Sequence, residues 1–185
     1  MHDNTDSDEF LMQASGQGDL EAFARLVDRH QVWGWRVAYR FTGDHGEAAD
    51  IVQDAFLRLL AASSRYRPTA QFRTYFYRII SRLCLDRRRK RRLVLLPAIP
   101  ETADPSVQVS DTMIRGESAQ SIRAALESLP SSQRMAIVLR YYEDMSYEEI
   151  ASAMDTTTKA VERLLARGRK RLRGLLGSSE HFSQS

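Results

Sequence analysis

The cleanest helical pattern lies at Glu47 to Leu60, EAADIVQDAFLRLL, where Ala48, Ile51, Val52, Ala55, Phe56, Leu59 and Leu60 recur at spacings of three and four. Similar stripes predict further helices. From Asp19 to about Phe41 the apolar positions are Leu20, Phe23, Leu26, Val27, Val37 and Ala38, with Asp19 as the N-cap. Trp33 and Trp35 cannot both face one core, so one belongs at a rim. From Phe72 to about Arg92, Phe72, Tyr75, Phe76, Ile79, Ile80 and Leu83 mark the buried side. Ala119–Leu129 and Ser131–Tyr142 make two more helices, with Pro130 at the start of the second. No strand pattern competes, and the fold class is all-α.

The last part of the chain has its own grammar. Ser146 followed by Glu149 is a capping box that starts a short helix at Tyr147, with Ile150, Ala151 and Met154 turned inward. Asp155 and Thr156 interrupt it, and Thr157 caps a longer helix whose apolar positions are Val161, Leu164, Leu165, Leu172 and Leu176. From Lys159 to Arg173 that helix carries seven Lys or Arg against one acid, Glu162. A basic stripe alone is equally a solvated face. A capped short helix, a tight turn and a basic amphipathic helix together form a helix-turn-helix, whose second helix enters the DNA major groove.

The connecting stretches separate two domains. Thr42–Gly46 and Ser63–Gln71 are built from turn residues, while Leu93 to about Gly116 holds Pro97, Pro100 and Pro105 and reads as a linker. The expected organisation is a flexible acidic leader over residues 1–18 (with a helix allowed from Glu9 to Ala14), a domain over 19–92, a linker over 93–118, a domain over 119–176 and a flexible tail over 177–185.

Charge changes the picture by its distribution. The net charge of the 185 residues is only +3, yet residues 1–18 hold four acids and no Lys or Arg, and residues 19–92 hold sixteen bases against eight acids. A local basic surface attracts a polyanion whatever the total. Arg87–Arg92 are six consecutive cations beside a lone Asp86, and they follow a helix in which aromatics alternate with Arg73, Arg78 and Arg82. Rings and cations in that mixture suit single-stranded nucleic acid. Phe72 and Phe76 read as core, while Tyr66, Tyr75 and Tyr77 stay open between core and base contact. Glu47, Asp50 and Asp54 form an acidic row at helical spacing, as compatible with a solvated face as with docking. One cysteine, Cys84, excludes an internal disulfide, and His2, His30, His45 and His181 lack metal-ligand spacing, so neither metal nor cofactor is expected. No run of about eighteen apolar residues provides a membrane span, and the acidic start is unlike a signal peptide. A cytoplasmic protein is expected. No converging Ser, His and Asp set or Gly-rich phosphate loop points to an enzyme.

Four segments in order, DLEAFARLVDRH (Asp19–His30), TGDHGEAADIVQDAFLRLL (Thr42–Leu60), FRTYFYRIISRLCLDRRR (Phe72–Arg89) and LPSSQRMAIVLRYYEDMSYEEIA (Leu129–Ala151), resemble bacterial RNA polymerase sigma factors of the extracytoplasmic-function (ECF) group. That group keeps sigma domains 2 and 4. The resemblance implies that Glu47, Asp50, Gln53 and Asp54 face the clamp helices of the polymerase largest subunit, with the flap region as a second contact. It implies that the 63–71 loop and the helix after it read and open the −10 element and hold the melted non-template strand, through Tyr66, Arg67, Arg73, Tyr75, Tyr77, Arg78, Arg82, Arg87 and Arg88. Arg140, Thr158, Lys159, Glu162, Arg163, Arg167 and Lys170 would address the −35 duplex. An anti-sigma factor is a further implied partner, covering the acidic row, the basic helices or both. Tyr75 stands where the family commonly has Trp, and Arg82 where it commonly has Asn. A stand-alone helix-turn-helix regulator is the alternative, with residues 1–92 as a sensing or dimerising domain.

Overall fold

The computed structural model describes residues 7–94 and 113–177, without the side chains of 92–94 and 113–119. Most of the 93–118 linker, the first residues of the leader and nearly all of the tail lie outside the described residues. Those described form eight α-helices and one 3₁₀ turn: α1 (Asp8–Gly16), α2 (Leu20–Thr42), α3 (His45–Ala62), the 3₁₀ turn Ser63–Arg65, α4 (Phe72–Val94), α5 (Met113–Glu127), α6 (Ser131–Tyr141), α7 (Tyr147–Ala153) and α8 (Thr158–Leu176).

The local signals act as the chain chemistry dictates. Asp19 caps α2 by accepting from the Ala22 amide at 2.9 Å, and Ser146 and Glu149 close the capping box of α7. Thr157 caps α8 through the Ala160 amide. Two starts differ from expectation: α5 begins at Met113, inside the stretch read as linker, and α3 begins at His45 inside the TGDHG connection, because Asp44 accepts from the Glu47 amide at 2.7 Å and supplies the cap.

The helices α2, α3 and α4 share a core of Leu26, Val37, Ile51, Ala55, Leu59, Phe76 and Ile80, each at most 1 % exposed. Gly34 sets how closely α2 meets α4, since a Cβ there would stand 3.0 Å from both the Phe76 ring and the Ile80 side chain. Trp33 is half exposed, while Trp35 stacks on Tyr39 with ring centroids 4.8 Å apart. The leader departs from a flexible segment. Its helix α1 is longer than expected and buries Leu11 and Met12 completely, two adjacent positions about 100° apart that are covered because α1 packs against both α2 and the 3₁₀ turn.

The second unit packs α6, α7 and α8 around Met135, Val138, Leu139, Ile150, Val161 and Leu165. It rests on the first unit through two buried polar contacts. Arg134 is 1 % exposed and donates to the carbonyls of Phe41 (2.6 Å) and Glu127. Burial and then the neighbouring Arg88 pull its pKa down to about 10, against the opposing pull of Glu127. Glu143, between α6 and α7, is the other contact, on α4.

Candidate functional site

Three surfaces carry the residues singled out in the sequence. On α3, Asp50 and Gln53 are exposed and Glu47 and Asp54 partly so. Arg87 leans onto this row from α4, with one guanidinium nitrogen 2.8 Å from Asp54 and another 3.9 Å from Asp50. That placement differs from the expected DNA contact: Asp54 and Asp50 supply counter-charge and hold Arg87 on the acidic row. Beside the row an apolar groove of about 520 Å³ opens between α2 and α3, lined by Phe23, Val27, Val32, Trp35, Phe56 and Leu57.

The second surface is the 63–71 loop with α4. Arg67, Arg78, Arg82 and Arg88 are exposed, and Tyr75 is half-buried with the Arg78 guanidinium 5.1 Å from its ring centre. The other tyrosines, open in the sequence, are both buried here. Tyr66 is 6 % exposed, packs on Tyr75 at 5.3 Å, and has its phenol pushed up to about 12 by burial and then by the negative charge of Glu9. Tyr77 is 2 % exposed and donates its hydroxyl to Glu143 Oε2 at 2.5 Å. Burial first, and then that carboxylate, raises the Tyr77 pKa; Arg73 works in the opposite direction. Arg73 donates to the Glu143 carbonyl at 2.5 Å and reaches its carboxylate at 3.6 Å, while Arg40 approaches at 3.2 Å. The Glu143 side chain is fully buried by these three partners. Arg73 and Tyr77 therefore face the α6–α7 turn, a placement without a sequence signal because the partners lie 70 and 66 residues away.

The third surface is α8. Thr158, Lys159, Glu162, Arg163, Arg167 and Lys170 are all exposed, whereas Val161, Leu165, Gly168 and Leu172 are buried. At 3.6 residues per turn Lys159, Arg163, Arg167 and Lys170 lie across the cylinder from the buried set, with Thr158 and Glu162 along one edge between the two. The turn before α8 runs through Asp155 in the left-handed region (φ 52°), and the Thr156 amide donates back to Ala151 at 2.9 Å. This geometry holds α8 outward against α7. Arg140 differs from its neighbours: partly buried, it donates to the Met145 carbonyl at 3.0 Å and braces the α6–α7 turn.

A sigma-70 region 2 model matches residues 26–94 and a sigma-70 region 4 model matches residues 119–172. The ECF RNA polymerase sigma factor SigE of Mycolicibacterium smegmatis is 32% identical over 95% of this chain and 69% of its own length. The chain belongs to the ECF RNA polymerase sigma factors. The sigma-E factor of Escherichia coli K12 is 30% identical over 89% of this chain and 91% of its own. Among solved structures, CnrH in complex with the cytosolic domain of CnrY is similar, at a TM-score of 0.71 and 29% identity over 94% of this chain and 99% of that one. This sigma factor binds core RNA polymerase and directs promoter-specific transcription initiation, and the region 2 match displaces the stand-alone regulator, in which residues 1–92 would be a sensing domain. Among its described residues no helix is long and apolar enough to cross a membrane.

Proposed function

We propose that the sigma factor divides promoter engagement among its three surfaces, and that the polymerase alone carries out the chemistry, in the cytoplasm. Glu47, Asp50, Gln53 and Asp54 dock the clamp helices of the largest subunit, where an acidic row beside an apolar groove suits a helix carrying both bases and apolar residues. Arg67, Tyr75, Arg78, Arg82 and Arg88 take the −10 strand. Their exposed cations track phosphates, and the Tyr75 ring offers a stacking face. Arg73 and Tyr77 join them only when Glu143 leaves α4. Lys159, Arg163, Arg167 and Lys170 enter the −35 major groove or its flanking phosphates, with Thr158 and Glu162 along one edge of that row.

The exposed basic row of α8, opposite its buried face, is the observation that carries this reading. Arg163→Ala and Arg167→Ala are expected to weaken −35 discrimination in the reconstituted holoenzyme and to leave core binding unchanged; normal −35 discrimination in both overturns the assignment. Replacing Asp50 and Asp54 together by Lys is expected to abolish capture of core polymerase with the fold intact, since exposed ion pairs contribute only about 0–1 kcal/mol to stability. Undiminished capture refutes the docking role. The likeness to CnrH, solved in complex with the cytosolic domain of CnrY, also supports a protein partner for this chain, which we read as an anti-sigma factor.

A further inference from the structure

Helix α1 lies ahead of the region 2 match, which begins at residue 26, and no promoter role attaches to it in the sequence. Its placement is specific. Glu9 Oε1 accepts a hydrogen bond of 2.8 Å from the backbone amide of Phe72, the first residue of α4. That amide is one of the donors that a helix leaves without an internal partner, and such positions are normally served by Ser, Thr, Asp or Asn just before the helix. Here Ala70 and Gln71 precede the helix, and a carboxylate 63 residues away supplies the acceptor and a negative charge at the positive end of the dipole.

The other end of the 63–71 loop meets α1 as well. A Cβ on Gly16 would stand 2.5 Å from the Ser63 carbonyl oxygen, so the end of α1 lies directly against the loop's entry. Glu9 holds the exit and Gly16 admits the entry, and Tyr66 is buried between them, close enough to Glu9 and Asp8 for their charges to act on its phenol. The helix is itself pinned to α2: Asp8 bonds His30 at 2.7 Å and Arg29 at 3.2 Å, and Leu11 and Met12 are buried beneath it. The His30 ring in turn packs 5.0 Å from the Phe72 ring.

We propose that α1 is the clamp that sets the conformation of the 63–71 loop, and that Glu9, as the distant cap of α4, is a positioning residue for capture of the melted −10 strand. This inference rests on the reading of the loop and α4 as the −10 surface. Without the cap the first turn of α4 frays and takes with it Tyr75, the ring over which the Arg78 guanidinium lies and the stacking face offered to the strand. The expected penalty is the ordering factor that one charged capping bond carries, roughly five- to thirty-fold.

The test uses holoenzyme reconstituted from core polymerase and the full chain, with a promoter located by sequencing transcript 5′ ends. Binding is measured to three probes: core polymerase, a −35 duplex, and a single-stranded non-template −10 oligonucleotide. Glu9→Ala is expected to weaken the −10 oligonucleotide roughly five- to thirty-fold and to leave the other two unchanged, while Glu9→Gln, whose amide oxygen can accept the same bond, recovers most of the loss. Wild-type −10 binding by Glu9→Ala overturns the proposal, as does equal loss on all three probes, the mark of a merely structural residue. A Glu9→Gln protein as weak as Glu9→Ala also overturns it. Arg78→Ala separates the two ideas. If Arg78→Ala loses −10 binding and Glu9→Ala does not, the clamp alone is wrong; if Arg78→Ala loses nothing, the −10 surface is misplaced and the clamp falls with it.

Discussion

Glu143 offers the sharpest quantitative test of how the two halves are joined. Its carboxylate is fully buried, and it accepts from Tyr77 at 2.5 Å, with Arg40 at 3.2 Å and Arg73 at 3.6 Å. In Glu143→Ala the Tyr77 hydroxyl remains buried without its acceptor, a loss of about 1.5–3 kcal/mol for a hydrogen bond to a charged group. The side chains of Arg40 and Arg73 are 30% and 46% exposed, so their guanidinium groups regain water and add only about 0–1 kcal/mol. Together these give a destabilisation of about 2–4 kcal/mol and a fall in Tm on the order of 5–15 °C. Urea unfolding of Glu143→Ala, Tyr77→Phe and the double variant measures it. The pair is expected to show a coupling energy of about 0.5–3 kcal/mol, because the second substitution removes a partner already lost. Simple additivity, or an alanine variant within about 0.5 kcal/mol of the wild type, would show that the carboxylate does not hold the α6–α7 turn on α4. The same contact has an alkaline limit. Burial and Glu143 raise the Tyr77 pKa, so its contribution is whole below the unfolded value near 10 and is lost as pH rises beyond it.

The remaining predictions concern the first unit. Met12→Ala is expected to cost about 2–5 kcal/mol, since Met12 is fully buried under α1; chemical denaturation measures the loss, and a neutral result means that α1 is not part of the core. Burial opposes the charge of Asp8, but His30 and Arg29 together outweigh it and hold the carboxyl below its usual range, so the stability that Asp8 lends is present above about pH 3.9 and disappears as pH falls through the lower folded value. Amide exchange of Leu11 and Met12 should accelerate in that acid window in the wild type and show no such step in Asp8→Asn. Cys84 is 1 % exposed and burial pushes its thiol up, so alkylating reagents should leave it unmodified in the native protein and label it in denaturant; native-state labelling at the denatured rate contradicts the packing.

What could be read from the sequence was local. The apolar stripe of α3, the capping box at Ser146 and the opposed faces of α8 each depend on residues within a turn or two of one another, and all three appear in the structure. Tyr66 and Tyr77 are ambiguous in the sequence because a tyrosine has both an apolar ring and a polar end; the structure uses the ring of Tyr66, packed on Tyr75, and both the ring and the hydroxyl of Tyr77, the latter on Glu143. Glu9, Arg134 and Glu143 were missed for a related reason. Their partners lie 63, 93 and 66 residues away, where no spacing rule operates. An acid in a polar leader and an arginine on an otherwise apolar helix look like surface residues until the helices are assembled. α3 starts two residues before its apolar pattern does, because His45 and Gly46 are weak helix formers that the Asp44 cap draws into the first turn.

Arg87 gives the acidic row an unusual property. Asp54, and at longer range Asp50, already hold a cation from within the same chain. A lysine or arginine arriving from another protein therefore exchanges with an incumbent, and its Coulombic gain is the difference between two similar pairs rather than the whole of one. Such a surface discriminates against basic chains that offer charge without fit, since a diffuse positive patch gains little by evicting a well-placed guanidinium. It also ties two events together: Arg87 stands at the start of a run of basic residues, so a cation that displaced it on α3 would leave one more unpaired positive charge in that run.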